Sequence, residues 1–215
     1  KITHRNVLRT YDYGEADGVY FISMEFVRGY TLSELEQETP ELAPRAAMGI
    51  ARQICRGLQA AHEQGIIHRD IKPQNVLIDS KGEVKLMDFG IARVAESKEA
   101  MTQAGLIVGT PHYMSPEQVQ GQTLDARSDV YSMGILIYEM LAGRRPFEST
   151  SLTGVLAAHI TEKPKPLVEA RPAIGQQISD IIMKCLAKDP KQRYTDAGGL
   201  LNDLDRVQAP AAAAA

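Results

Sequence analysis

The sequence has little that would tie it to an oxidising compartment or to a membrane. It contains no tryptophan and only two cysteines, Cys55 and Cys185, which lie far apart in the chain. Because they form neither a disulfide framework nor a metal-ligand spacing, both are predicted to be core thiols in a reducing compartment. No apolar run approaches the roughly 18 residues that a membrane-spanning helix needs. No signal peptide is recognisable, so we expect a cytoplasmic location for this chain. A membrane anchor elsewhere in a longer parent protein would be compatible with that expectation.

An excess of positive charge is also missing. The 215 residues carry a formal net charge of −3, and 24% of them are charged while 44% are hydrophobic. This balance is ordinary for a globular protein of one or two domains, and it gives no basic surface for a nucleic-acid partner. No internal repeat occurs. Residues 208–215 are low in complexity, as expected of a linker, a tag or a frayed end.

What the sequence does contain is a dense group of polar side chains at residues 68–75, which read His-Arg-Asp-Ile-Lys-Pro-Gln-Asn. Asp70 can accept a proton, Lys72 can hold a phosphate, and Asn75 can bind a metal ion through its side-chain oxygen. Pro73 fixes its own φ and favours an extended residue before it, so a loop is predicted here. A base, a cation and a metal ligand are the parts that phosphoryl transfer needs, since that reaction depends on positioning and charge stabilisation.

A second motif, Asp-Phe-Gly, follows at residues 88–90. Two short strands are predicted between the motifs, at 75–79 and 83–87. A hairpin of this size folds back on itself and carries Asp88 towards Asp70 and Asn75. Carboxylate and amide oxygens suit a hard cation such as Mg²⁺, which binds a few protein oxygens together with substrate phosphates.

These two motifs, in this order, resemble the catalytic loop and the metal-binding motif of protein kinases. The chain is most similar to the bacterial serine/threonine kinases of eukaryotic (Hanks) type, over about residues 2–207. The resemblance implies an α+β, protein-kinase-like fold with a mainly helical large lobe, a catalytic-loop hairpin and only the last strands of the small lobe. The implied division is a small-lobe remnant at 1–27, a large lobe at 28–207 and a tail at 208–215. The catalytic loop is then 68–75 and the activation segment 88–117.

The resemblance also implies roles, with ATP, Mg²⁺ and protein substrates as ligands. Asp70 would orient the substrate hydroxyl and accept its proton, Lys72 would steady the γ-phosphate, and Asn75 and Asp88 would hold Mg²⁺. The nucleotide contacts would come from the hinge and the floor of the cleft: backbone groups of Glu25 and Val27 at the adenine, Leu77 beneath it, and Met24 as gatekeeper.

Further residues are implied as supports. His68 and Phe89 would pack together, Asp129 would accept backbone hydrogen bonds from the catalytic loop, and Arg193 would pair with Glu117. Thr110, together with Lys72, indicates serine/threonine specificity. Arg69 would hold a phosphate on the activation segment, where Thr102 is predicted as the main autophosphorylation site and Ser97 and Thr110 as lesser ones.

The remaining pattern predicts the framework. Strands are expected at 7–13 and 19–27, and Thr31 with Glu34 forms a capping box for a short helix. An amphipathic helix is predicted at 45–62, with His62 as a charge near its end. A helix at 129–142, apolar nearly all round, belongs inside the domain. Further helices are predicted at about 150–160, 175–187 and 195–207.

Two alternatives stay open. A small-molecule phosphotransferase can share the Asp and Asn, although the stretch at 109–117 resembles a peptide-docking segment that such enzymes generally lack. The other alternative is a non-enzymatic kinase-like module. It stays open because no glycine-rich phosphate loop, strand lysine or partner glutamate helix is found; their place would be before Lys1. We therefore expect this chain alone to bind Mg-ATP weakly, to show no measurable transfer and to self-associate through the open edge of the 19–27 strand.

Overall fold

The structure is a computed structural model that describes residues 2–89 and 111–207. It confirms the predicted α+β class, with small antiparallel sheets beside a larger helical unit. The strands are β1 Thr10–Ala16, β2 Val19–Met24, β3 Gly29–Thr31, β4 Val76–Asp79 and β5 Val84–Leu86. The helices are α1 Leu32–Glu38, α2 Pro44–His62, α3 Pro116–Val119, α4 Ala126–Ala142, α5 Leu152–Thr161, α6 Leu167–Ala170, α7 Gln176–Cys185 and α8 Ala197–Arg206. Single 3₁₀ turns occur at Pro73–Asn75, Pro111–Tyr113, Pro172–Ile174 and Pro190–Gln192.

Strands β1 and β2 form an antiparallel hairpin whose strand bounds differ from the prediction. β1 runs to Ala16 and pairs it with Val19, so the connection is only Asp17 and Gly18. Both residues have positive φ, 52° and 76°. An Asp-Gly pair with this geometry forms the tight turn that matches the twist of two strands, and this turn fixes the register. The strand predicted at 7–13 therefore lies at 10–16, and the strand predicted at 19–27 ends at Met24.

The second sheet has the order β3-β4-β5 and carries the predicted catalytic-loop hairpin. The chain before β1 adds to its edge. Leu8 donates its backbone N–H to Leu86 and Leu86 donates to Asn6, both at 2.9 Å. The amide of Asn6 donates to the carbonyl oxygen of Val84 at 2.8 Å. Residues 6–8 thus contact the larger unit, and the domain boundary at residue 27 stays a prediction.

Helix α4 is the centre of the core. Its side chains are buried on every face, as the sequence predicts, and it ends at Gly143, which has a φ of 65°. Glycine adopts this left-handed conformation at helix ends without steric cost. Helix α2 lies against α4, α8 and β5 through its apolar face of Ile50, Ile54 and Leu58. The hairpin that carries the catalytic loop is therefore fixed on a rigid helical base.

The helix at 32–38 begins as its sequence predicts. The Thr31 hydroxyl accepts the N–H of Glu34, and the Glu34 carboxylate accepts the N–H of Thr31, so both halves of the capping box are present. Along the described ranges, no helix combines the length and the hydropathy needed to cross a membrane.

Candidate active site

The catalytic-loop residues meet at one point. Lys72 is extended, and Pro73–Asn75 form a single 3₁₀ turn that directs two side chains back towards Asp70. The Lys72 ammonium lies 2.7 Å from Oδ2 of Asp70. The Asn75 amide donates to the same Oδ2 at 3.0 Å and to the Asp70 carbonyl oxygen at 2.7 Å. A carboxylate, a cation and an amide oxygen are thereby held together at the mouth of the hairpin.

Asp88 follows the hairpin in a left-handed backbone conformation, with a φ of 65°. Partial burial raises the pKa of its carboxyl group, and the negative charge of Asp70 adds to this effect, while His68 and Lys72 oppose it. A carboxylate that lies beside a second negative charge is stabilised by a nearby cation, which offsets the repulsion between the two charges. The local electrostatics therefore fit a bound divalent cation.

Among the described residues, no three His, Cys, Asp or Glu side chains come together as a metal site. A metal ion here would be bound by Asn75 and Asp88 and would need further oxygens from elsewhere. This is the arrangement that Mg²⁺ adopts with nucleotides, since it keeps waters and phosphate oxygens and takes few protein ligands.

The backbone of the catalytic loop is held by Asp129, at the start of α4. Its Oδ2 accepts the N–H of His68 at 2.8 Å, and its Oδ1 accepts the N–H of Arg69 at 2.9 Å. Its side chain is 1% exposed. Arg69 has a φ of 73°, a conformation that a non-glycine residue keeps only when its surroundings enforce it. The buried carboxylate supplies part of that enforcement.

His62 contacts the same carboxylate, and here the prediction of a helix-end charge was wrong. Its side chain is 4% exposed, and its Nε2 lies 2.8 Å from Oδ2 of Asp129. Its Nδ1 accepts the backbone N–H of Ala197, so the proton is on Nε2 and is donated to Asp129. A buried carboxylate needs such donors, and His62 supplies one that no local sequence signal marks.

His68 connects the two motifs. Its Nε2 donates to the carbonyl oxygen of Met87 at 2.8 Å, and its Nδ1 accepts the N–H of Asp70 at 3.2 Å. Its ring packs edge-on against Phe89 with 4.6 Å between centroids. Burial lowers the pKa of this imidazole, which favours the neutral form that both hydrogen bonds require.

Glu117 and Arg193 form a buried, two-pronged ion pair at 2.7 and 3.0 Å. The Ser128 hydroxyl donates to the same carboxylate at 2.7 Å. Burial alone would raise the pKa of Glu117, but the hydrogen bonds and charge of Arg193 outweigh it and lower that pKa. The pair anchors α3 onto the helical base.

In the predicted hinge, Glu25 has contacts that the sequence did not suggest. Its backbone N–H donates to the carbonyl oxygen of Arg9 at 2.8 Å. Its carboxylate lies 3.1 Å from the Lys85 ammonium on β5. Val27 and Leu77 are half-buried, and Leu77 pairs with Thr31 and Lys85 in the sheet. Lys85 thus ties the predicted hinge to the hairpin that carries the catalytic loop.

Comparison with known proteins identifies the family. A family model described as "Protein kinase domain" matches residues 1–204. The chain belongs to the protein kinase domain family. It is 41% identical over 217 residues to "Serine/threonine-protein kinase PknB" of Mycolicibacterium smegmatis, and 39% identical over 210 residues to the protein of that name in Mycobacterium leprae. These alignments cover 97% and 96% of this chain but 35% and 34% of the two relatives, so the chain spans about a third of their length.

Membership in the kinase family confirms the resemblance found from the two motifs. Three predicted residues, Ser97, Thr102 and Thr110, lie outside the described residues, as does Gly90. The other predicted site residues are described. Residues 68–75, Asp88, Phe89 and Asp129 come together in one cluster, whereas Glu117 and Arg193 form a second one.

A third cluster in the kinase domain gives a pH-dependent prediction. Glu36 on α1 faces Glu139 on α4, and Glu139 accepts a hydrogen bond from Tyr113. One carboxylate oxygen of Glu36 is buried without a hydrogen-bond partner. Burial and then the charge of Glu139 raise the pKa of Glu36 to about 8, from an ordinary value of 4.5. The folded protein therefore binds a proton between pH 4.5 and about 8 that the unfolded chain does not.

Stability is expected to fall as the pH rises through that window, because the unfolded chain ionises Glu36 without the cost of burial. We expect Glu36→Gln to raise the melting temperature at pH 8.5 by a few degrees. For a domain of this size, each kcal/mol of added stability raises the melting temperature by about 2–4 °C. At pH 4 the variant and the wild type should melt together. Glu38→Gln, at an exposed position of the same helix, is the control and should shift neither value. A stabilisation equal at both pH values would contradict the assignment.

Proposed function

We propose that the protein transfers the γ-phosphoryl group of ATP to serine and threonine hydroxyl groups of proteins. The observation that carries this proposal is the contact of Lys72 and Asn75 with one oxygen of Asp70, on a loop held by Asp129. Phosphoryl transfer needs little covalent chemistry from the protein and depends on positioned charges. The relatives named serine/threonine-protein kinase support the same conclusion.

In the proposed reaction, Asp70 orients the acceptor hydroxyl and takes its proton as the new oxygen–phosphorus bond forms. Lys72 steadies the γ-phosphoryl oxygens while the bond to the β-phosphate oxygen breaks and ADP leaves. Asn75 and Asp88 fit Mg²⁺, which when bound neutralises charge on the phosphates. Backbone groups of Glu25 and Val27 with Leu77 would hold the adenine.

The two alternatives make different predictions. A small-molecule phosphotransferase is disfavoured by residues 109–117, which resemble a peptide-docking segment, and a non-enzymatic module is disfavoured by the intact Asp70, Lys72, Asn75 and Asp88. The test is transfer from γ-³²P-labelled ATP to a generic protein substrate by the complete protein, followed by phosphoamino-acid analysis. Label on serine and threonine that disappears with EDTA supports the proposal. Label on a small hydroxyl compound alone, or none at all, sinks it.

A regulatory prediction concerns the activation segment. Arg69 directly precedes Asp70, and an arginine there commonly holds a phosphate on the segment in kinases. A phosphate adds about −1.5 to −2 charges and can order a loop by pairing with arginine. We expect Thr102 to be the main autophosphorylation site, with Ser97 and Thr110 as lesser ones, in phosphopeptide mapping after incubation with Mg-ATP. Phosphate found only outside residues 91–113 would refute this. Self-association through the strand predicted at 19–27 and a cytoplasmic location stay predictions.

A further inference from the structure

Gln118 on α3 contacts the backbone of the loop that carries Asp70. Its Nε2 donates to the backbone carbonyl oxygen of Arg69 at 2.7 Å, across 49 residues of sequence. Its Oε1 accepts the backbone N–H of Ser115 at 3.0 Å, and the Ser115 hydroxyl accepts the N–H of Gln118. Because Ser115 N–H can only donate, the amide oxygen must face it, which leaves the amide NH₂ towards Arg69.

The carbonyl that Gln118 holds belongs to the peptide group immediately before Asp70. The other end of that peptide group, the N–H of Asp70, donates to Nδ1 of His68 at 3.2 Å. Side chains therefore hold the plane at both ends, and this plane sets the direction in which the Asp70 side chain leaves the backbone. The preceding N–H, of Arg69, is held by Asp129 at 2.9 Å.

The need for these contacts follows from the conformation of the loop. Arg69 has a φ of 73°, a region that L-residues other than glycine avoid. A strained residue keeps such a conformation only when its surroundings fix it. Asp129 holds the loop from the helical base, and His68 holds it from within the loop itself. Of these three residues, only Gln118 holds the loop from the segment after residue 110. Its helix, α3, is fixed in turn by the buried pair of Glu117 and Arg193.

We propose that Gln118 is a positioning residue, which fixes the orientation of Asp70 through the Arg69 carbonyl and couples the end of the activation segment to the catalytic loop. This inference rests on the proposed phosphoryl transfer for its kinetic consequence, though not for its structural one. Asp70 is the group that touches substrate, and Gln118 acts through it. Misplacement of a catalytic group by about 1 Å can cost roughly 100-fold in rate, so loss of one of three holding contacts is expected to lower kcat about 10-fold.

The test compares four forms of the complete protein: wild type, Gln118→Leu, Gln118→Glu and the control Gln122→Leu. Gln122 is exposed, and its side-chain amide donates to the side chain of Gln120. Leucine removes the donor, whereas glutamate keeps the shape and turns an oxygen towards the Arg69 carbonyl. We expect kcat to fall about 10-fold in Gln118→Leu and at least as far in Gln118→Glu, with KM for ATP within about twofold. Gln122→Leu should match the wild type.

Hydrogen exchange supplies a readout that does not depend on activity. The backbone amides of His68, Arg69 and Asp70 should exchange faster than in the wild type in both Gln118 variants. In Gln122→Leu they should exchange at the wild-type rate. If Gln118→Leu folds poorly, Gln118→Met replaces it, because methionine keeps the length of the side chain and lacks the donor. Wild-type kcat in Gln118→Glu, or unchanged exchange at these three amides, would overturn the proposal. Absence of transfer by the wild type would instead count against the proposed function, and the exchange comparison would still decide the role of Gln118.

Discussion

Asp70→Asn lowers kcat by roughly 10²–10⁴, the usual cost of losing a general base, if Asp70 accepts the proton of the substrate hydroxyl. Asparagine has nearly the same shape, and its oxygen can still accept the hydrogen bond from Asn75. Its amide cannot accept a proton, and it removes the negative charge that lies 2.7 Å from the Lys72 ammonium. KM for ATP should change little, because in the proposed reaction Asp70 contacts the acceptor hydroxyl and not the nucleotide.

The measurement is steady-state transfer to a generic serine/threonine substrate by the complete protein, with thermal melting to show that the variant folds. Asp180→Asn, at an exposed position on α7 far along the chain from the catalytic loop, is the matched control and should retain wild-type kinetics. An Asp70→Asn variant that transfers phosphate at the wild-type rate would show that another group takes the proton, and the assignment of Asp70 would be lost.

The cluster of Asp70, Lys72 and Asn75 could be predicted because its side chains are close in sequence. Asp70, Lys72 and Asn75 lie within six residues, and Pro73 restricts the backbone between them, so spacing alone brings the three side chains near each other. The capping box at Thr31 and the buried helix, predicted at 129–142 and observed at Ala126–Ala142, were predictable for the same reason. Their signals are short-range patterns of residue type.

The contacts that hold the loop in place could not be predicted in this way. His62 and Asp129 are 67 residues apart, and Gln118 and Arg69 are 49 apart. Nothing in the local pattern around His62 distinguishes a buried donor from an exposed charge near a helix end. The hairpin bounds were missed for a different reason: the strands predicted at 7–13 and 19–27 left five residues between them, although an Asp-Gly pair is itself a strong signal for a two-residue turn.

The largest effect on stability is expected at Arg193. Its guanidinium group has five N–H donors, and the structure gives it five hydrogen bonds. Two go to the Glu117 carboxylate, and three go to the carbonyl oxygens of Ala187, Arg127 and Lys188, at 2.7 to 3.0 Å. Its side chain is 0% exposed. Removing it leaves a buried carboxylate and three carbonyl oxygens without their donor.

We expect Arg193→Ala to lower the free energy of unfolding by roughly 3–5 kcal/mol, the usual cost of breaking a buried pair from one side. The corresponding fall in melting temperature is about 10 °C for a domain of this size. Arg193→Lys should lie between the alanine variant and the wild type, because an ammonium group has three donors and no planar fork. The control is Arg206→Ala. Arg206 pairs with Asp203, but its side chain is 76% exposed, so its loss should lower the free energy of unfolding by less than about 1 kcal/mol.

The pH dependence separates a buried ion pair from simple loss of packing. In the wild type the pKa of Glu117 is lowered, so its ionised carboxylate stabilises the fold at pH values above the ordinary pKa of 4.5. This contribution is lost as the pH falls through the pKa of the folded protein. Without Arg193 the buried carboxylate prefers to be protonated, so the variant suffers most at neutral pH and least in acid. The difference in melting temperature between wild type and Arg193→Ala should therefore shrink as the pH is lowered from 7 to 4. A difference that stays constant over this range would mean that the guanidinium stabilises the fold by filling space and not by its charge.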